Sequence, residues 1–267
     1  MNAATLPVIA GIDGSTTAMT AAYWAVQEAA GRDAPLRLVY VTKTTHSAAE
    51  YAEDVRKGHA CLHEARTAIE AMGTPVTIET AVVDGPPAAA LVDASSQAQM
   101  VCVGSVGIGR YARSILGSVA AELAEKAACP VAVIRPDSDA GTHHDSGWII
   151  VADNEKPDNH AVVEQAMREA TIRQAPVLLL GTDGRPESHA ALEREIGDWK
   201  SRYPDVRVYP IANRAEVTHF LKKHHEHVLL AVIGSSEAGE VADIVGHGHA
   251  LFPHSASSAL VVRPRCA

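Results

Sequence analysis

The sequence predicts an α/β protein made of two tandem domains, each an open five-stranded parallel sheet with helices on both faces. Three observations predict it. Short apolar runs alternate with helical segments, the pattern of a parallel sheet covered on both sides. The polar stretch DSDAGTHHDSG at 137–147 interrupts that alternation. The same order of segments then starts again, which marks an internal duplication.

Each element has its own signal. Val8–Asp13 is an apolar run ending at an acid, hence a buried strand. Ser15 or Thr16 caps a helix over Ala18–Ala30, which Gly31 closes. Leu36–Val41 is a second strand, residues 48–72 a long helix and Val76–Val82 a third strand. Asp84-Gly85-Pro86-Pro87 opens another helix, because proline is tolerated in a first turn. Met100–Gly104 is a strand, Val119–Lys126 a helix and Val131–Ile134 a fifth strand. In the second half Trp148–Asp153, Val177–Gly181, Val206–Ile211, Val228–Gly234 and Ala259–Val262 repeat the strands, and Arg214–His224 repeats a helix. Both final strands are followed by Arg-Pro. The expected division is a first domain at 1–137, a linker at 138–147 and a second domain at 148–267.

Composition narrows the function classes. The 267 residues are 47% hydrophobic, 21% charged and only 4% aromatic, so the cores are aliphatic. A formal charge of -9 argues against a nucleic-acid or anionic-membrane surface. It leaves room for a small anion held by backbone amides. The four cysteines form no CxxC pair, which fits a reduced cytoplasm, and Cys102 and Cys129 sit in apolar runs as core residues. No signal-peptide pattern opens the chain, and no apolar stretch reaches the roughly 20 residues that span a bilayer. Fourteen histidines include clusters around His224, His225 and His227 and around His247, His249 and His254. None has HExxH or Cys/His zinc spacing, so no metal site is expected. Neither a GxSxG elbow nor an evident acid/base carboxylate pair points to an efficient enzyme.

The chemistry-bearing segment begins at Gly104, between a strand and a helix. Gly104, Gly107, Gly109 and Gly117 let the backbone approach a ligand, and successive N–H groups there make an anion site. Ser118 and Val119 open the next helix, whose free N–H groups suit a phosphate. Arg110 and Arg113 add positive charge. The loop lacks the lysine of a P-loop. Gly107–Ala112 fits GxGxxA, but it follows the fourth strand and no ribose-binding acid ends the next one, which argues against a dinucleotide site. Asp13 has two readings, a ligand contact or a helix cap. Ser118 has the same two, and they are compatible.

Gly104, Gly107, Gly117 and Ser118 form the pattern Gly-x2-Gly-x9-Gly-Ser. With Gly11-Ile12-Asp13-Gly14-Ser15 and the ending CPVAVI before Arg135, this resembles the universal stress protein family, in its tandem actinobacterial form. The resemblance implies a Rossmann-like, adenine nucleotide α-hydrolase-like fold with ATP at the carboxyl ends of the strands, magnesium accompanying its phosphates. It implies that Asp13 contacts the adenine or ribose side and that Val41 contacts adenine through its backbone. Gly11 leaves room beside the base, and Gly104, Gly107, Gly117 and Ser118 hold ribose and phosphates. It also implies a pseudo-twofold pairing of the halves, a regulatory protein partner and a homodimer.

The second copy keeps an acid at Asp153 but replaces the second glycine by Glu237 and the serine by His247, in a loop one residue shorter. A carboxylate beside a triphosphate opposes binding, so weak or no ATP binding is expected there. The leading reading is an ATP-binding regulatory protein of the stress response, with hypoxia or dormancy as the setting. The alternatives are a slow ATP or nucleotide hydrolase and a nucleotide-independent interaction scaffold.

Overall fold

The computed structural model describes residues 5–43, 47–107, 116–135, 147–154, 156–181, 186–212, 216–224, 227–246 and 257–263, with side chains left out at 186–193 and 212. The chain divides into two compact units, Met1–Pro136 and Asp137–Ala267. Gly109, Arg110, Arg113 and most of the expected linker lie outside the described residues, as do His247, His249 and His254.

In the first unit the elements are β1 (Val8–Gly11), α1 (Thr16–Gly31), β2 (Leu36–Thr42), α2 (Ala48–Glu70), β3 (Ile78–Asp84), α3 (Pro87–Ser95), β4 (Met100–Gly104), α4 (Ser118–Lys126) and β5 (Val131–Ile134). The strands lie in the order β3-β2-β1-β4-β5, and every pairing is parallel. The second unit has β6 (Trp148–Ala152), α5 (Asn159–Arg173), β7 (Val177–Gly181), α6 (Pro186–Arg202), β8 (Val208–Ala212), α7 (Val217–Lys223), β9 (Val228–Gly234), a short 3-10 helix (Ser235–Glu240), α8 (Val241–Gly246) and β10 (Ser258–Val262). Its order, β8-β7-β6-β9-β10, is again parallel and repeats the first.

The central strands are buried along most of their length. Val8, Leu36, Leu38, Met100, Val101, Cys102 and Val131 have no exposed surface, as a sheet covered on both faces requires. Alanines line the buried face of α1 at 18, 21, 22, 25 and 29 and let the helix lie close to the sheet. Ser15 starts that helix, its hydroxyl accepting the Ala18 N–H at 3.1 Å. Ser47 caps α2 in the same way through the Glu50 N–H. The duplication extends to a buried ion pair near the end of the first helix of each unit, Glu28–Arg32 and Glu169–Arg173, each at 3.1 Å.

Several boundaries differ from the sequence expectation. β1 ends at Gly11 rather than Asp13, β3 runs two residues later than Val76–Val82, and β8 starts at Val208 rather than Val206. The helix expected at Arg214–His224 is observed over Val217–Lys223.

Candidate functional site

In the first unit the strand order reverses between β1 and β4, and ligands of open α/β sheets bind at such a reversal, outside the carboxyl ends of the strands. Asp13 follows β1 there, and Gly104–Gly107 leave β4 beside it. Asp13 Oδ1 accepts the Ser15 N–H at 2.8 Å. It therefore shapes the entry to α1, but Ser15 rather than Asp13 is the N-cap. The other oxygen, Oδ2, lies 2.7 Å from where a Cβ on Gly107 would stand. Only glycine fits at 107 with Asp13 in that position.

The two sides of the crevice are tied together. The Ser15 and Thr17 hydroxyls are 2.9 Å apart, and Thr17 donates to the Val106 carbonyl. The Gly117 N–H donates to the Ser105 carbonyl at 2.7 Å, which draws the start of α4 onto the loop after β4. Gly117 is the N-cap of α4, with no side chain to satisfy the first-turn N–H groups. Ser118 is thus the first residue of the helix and not its cap; it is exposed, with Val119 half-buried beside it. The structure brings Asp13, Gly107, Gly117 and Ser118 to one crevice mouth. Gly104 and Gly11 have packing reasons: a Cβ on Gly104 would meet Thr17, and one on Gly11 would lie 3.3 Å from Leu91 and Val103.

Val41 stands one strand over. Alternate residues of a strand bond to opposite neighbours. Leu36 and Thr42 bond on the β3 side, through Thr77 and Gly85, while the Val39 carbonyl accepts the Ile12 N–H on the β1 side. The main chain of Val41 therefore faces the β1 side, beyond the end of β1 and toward the crevice. The sequence reading named Ser15 as a helix cap but did not pick out the Thr17 hydroxyl. The spacing Asp-x-Ser-x-Thr at 13–17 was the available signal.

The second unit is built differently at the same place. Asp153 accepts from Asn159 at 3.1 Å. Its pKa is pushed up to about 6, first by burial and then by the Glu195 carboxylate, with the Asn159 hydrogen bond opposing. The sequence reading carried over the acid without its neighbour. Glu237, in place of the second glycine, turns its carboxylate back onto the strand end: Oε2 accepts the Gly234 N–H at 3.0 Å and Oε1 pairs with Lys156 at 2.7 Å. A cavity of about 360 Å³ in this unit is lined by His160, Arg194, Glu195, Asp198, Trp199 and Arg202. Its lining includes Glu195, the neighbour of Asp153, and its groups bond to one another, with Arg202 stacked 3.8 Å over Trp199 and 3.2 Å from His160.

The raised pKa makes a prediction. A carboxyl group with a folded pKa above its unfolded value binds more protons when folded, so its contribution to stability falls as pH rises from 3.8 toward about 6. Above that window the charged form is a net cost. Asp153→Asn removes it while keeping the oxygen that accepts from Asn159. The variant is expected to be more stable than wild type by about 2 kcal/mol at pH 7.5. The advantage shrinks toward zero near pH 4. Urea unfolding at the two pH values checks this, and an advantage independent of pH refutes it.

Among the described residues no helix is long and apolar enough to cross a membrane, and no group of three or more His, Cys, Asp and Glu side chains is arranged to hold a metal ion.

Known proteins resemble this chain. The universal stress protein family profile matches residues 6–135. A universal stress protein of Mycobacterium tuberculosis is 53% identical over 263 residues, covering 96% of each chain. A second from the same organism is 35% identical over 268 residues, covering 96% of this chain and 95% of its own. The crystal structure of a universal stress protein from Archaeoglobus fulgidus superposes with a TM-score of 0.69 over 97% of both chains; at 14% identity that likeness concerns the fold. With identity of this level along nearly its whole length, the chain belongs to the universal stress protein family.

Proposed function

We propose that the protein is an ATP-binding regulator of the stress response whose nucleotide site lies in the first unit. One observation carries the reading: Gly107 lies so close to Asp13 that a Cβ there would stand 2.7 Å from Oδ2, and the first turn of α4, which no side chain caps, is drawn onto the same loop by the hydrogen bond from Gly117 to the Ser105 carbonyl. Such a surface presents N–H donors to a phosphate, next to an acid suited to ribose hydroxyls. Val41 reads adenine through its main chain. Gly104, Gly107, Gly109, Gly117, Ser118 and Val119 surround ribose and phosphates, with Arg110 adding charge and magnesium carried on the phosphates. ATP acts as a switch by binding one conformation of the 104–118 loop more tightly than another. A partner protein or a second copy of the chain reads the difference. The setting, hypoxia or dormancy, rests only on the similarity to mycobacterial relatives.

In this reading residues 1–137 are the nucleotide domain, 138–147 the linker and 148–267 a degenerate copy acting as scaffold. Glu237 favours the scaffold role, because its carboxylate lies on the strand end that a phosphate would approach. Freshly purified protein, denatured and analysed by mass spectrometry, is expected to release ATP at about one equivalent per chain. Two equivalents would remove the asymmetry between the copies. A chain that arrives empty and takes up no added ATP would remove the reading.

A further inference from the structure

β2 outruns β1. Gly11, the last residue of β1, pairs with Val39, while β2 continues to Thr42 beside Asp84 of β3. Tyr40, Val41, Thr42 and Lys43 therefore stand above the crevice, and the residues flanking Val41 are anchored. The Tyr40 ring packs under Gly58 of α2, where a Cβ would come within 2.6 Å of it. The Tyr40 hydroxyl donates to Asp54 Oδ1 at 2.8 Å, and the Lys43 N–H donates to Asp54 Oδ2 at 2.7 Å. The Thr42 hydroxyl donates to Asp84 Oδ1 at 2.6 Å, and the Tyr51 hydroxyl donates to the same oxygen at 2.8 Å. Tyr51, Asp54 and Gly58 share one face of α2 by their i, i+3, i+7 spacing.

We propose that Asp54 and Asp84 are positioning residues for the base of a bound adenine nucleotide. They fasten α2 to the end of β2 and hold the main chain of Val41 toward the crevice. The proposal rests on the nucleotide reading above. Asp54 brackets Val41 from both sides, through Tyr40 before it and Lys43 after it. By taking the Lys43 N–H it also withdraws that donor and leaves Val41 to supply the reading edge. Asp84 fixes the residue between Val41 and Lys43 and ties it to Tyr51 on the same helix face. The protonation states suit the role. Hydrogen bonds from Thr42 and Tyr51 hold the Asp84 carboxyl below its ordinary value, and burial with the Asp54 carboxylate raises the Tyr40 phenol well above its own.

A general loss of structure would weaken base and phosphate contacts alike, whereas a positioning role concerns the base alone. Titration calorimetry of the full chain with ATP and with inorganic tripolyphosphate separates them. For Asp54→Asn the ATP Kd is expected to rise about tenfold, as when one or two charge-assisted hydrogen bonds are lost, while the tripolyphosphate Kd stays within about twofold. Tyr51→Phe, a milder change, is expected to shift ATP affinity in the same direction without touching the core. Hydrogen exchange at the Lys43 amide should accelerate in Asp54→Asn. Equal losses for both ligands, unchanged ATP affinity in folded variants, or an unchanged Lys43 exchange rate would each overturn the proposal. A wild-type chain that binds no ATP overturns the nucleotide reading and this inference with it. A wild type that binds, with indifferent variants, overturns this inference alone.

Discussion

Gly117→Glu is expected to abolish nucleotide binding by the first unit while leaving the chain folded. Gly117 has φ -75° and ψ 151°, a conformation open to any residue, so the backbone imposes no strain on the replacement. A Cβ there would lie 3.3 Å from the Ser105 carbonyl oxygen, 3.6 Å from Val106 Cα and 3.8 Å from Gly107 N. The glutamate side chain must therefore leave across the 105–107 loop. Its carboxylate has two favourable destinations, the free N–H groups of the first turn of α4 or the donors of the loop. Either takes donors that a phosphate needs and adds a like charge beside it. At an effective dielectric near 20, that repulsion alone is about 4 kcal/mol at 4 Å, and screening at the crevice mouth lowers it. Even half of it, added to the lost hydrogen bonds, makes the ATP Kd rise by about a hundredfold or more. Calorimetric titration of wild type, Gly117→Ala and Gly117→Glu checks this, with circular dichroism as the folding control. Wild-type affinity in Gly117→Glu would place the nucleotide elsewhere.

The parts of the fold that the sequence makes legible are those decided by local pattern and burial. Met100–Gly104, Val131–Ile134, Val177–Gly181 and Val228–Gly234 are observed as expected, because each is a continuous apolar run that needs both sheet faces covered. Boundaries fail where a distant partner decides. β3 runs on to Asp84 because Thr42 and Tyr51 pair with it, and those partners lie 42 and 33 residues away in sequence. Sequence pattern ends the strand with the apolar run at Val82, short of that charge. β1 stops early because Asp13 turns its carboxylate to the Ser15 N–H. The candidate site divides the same way. Asp13 and the glycines stand out by residue type and spacing. Asp54 and Glu195 look like ordinary surface acids, and Asp84 like the opening of a helix, until folding sets them beside Tyr40, Asp153 and Thr42. The position of Glu237 in the degenerate motif was legible, but its pairing with Lys156 was not, since it joins the loops after two different strands.

The duplication offers a second large effect with an internal control. Gly104 and Gly234 end matching strands, β4 and β9, but their surroundings differ. A Cβ on Gly104 would come within 2.8 Å of the Thr17 carbonyl carbon and 2.9 Å of its Cβ and Oγ1. The nearest obstacle is the main chain of the first turn of α1, which cannot swing aside as a side chain can. Moving it also disturbs the Thr17 hydrogen bond to Val106 and the cap at Ser15. Gly104→Ala is therefore expected to cost about 3 kcal/mol, the upper end of overpacking. At Gly234 the nearest atoms are Asp158 Oδ2 at 3.1 Å, Val162 Cγ2 at 3.5 Å and Glu237 Oε2 at 3.6 Å, all side-chain ends. Its φ of -78° and ψ of 163° also suit alanine. Gly234→Ala is expected to change stability by less than about 1 kcal/mol. Urea unfolding of the two variants beside wild type tests the contrast, and equal costs would show that the approach of α1 does not decide the matter. The same contrast bears on the glycine motif. Weakened nucleotide binding in Gly104→Ala would report the displaced helix as well as the ligand, whereas in Gly117→Glu the nearest approach, 3.3 Å to the Ser105 carbonyl, asks the loop to yield by only a few tenths of an ångström, so a large loss there reports the site itself.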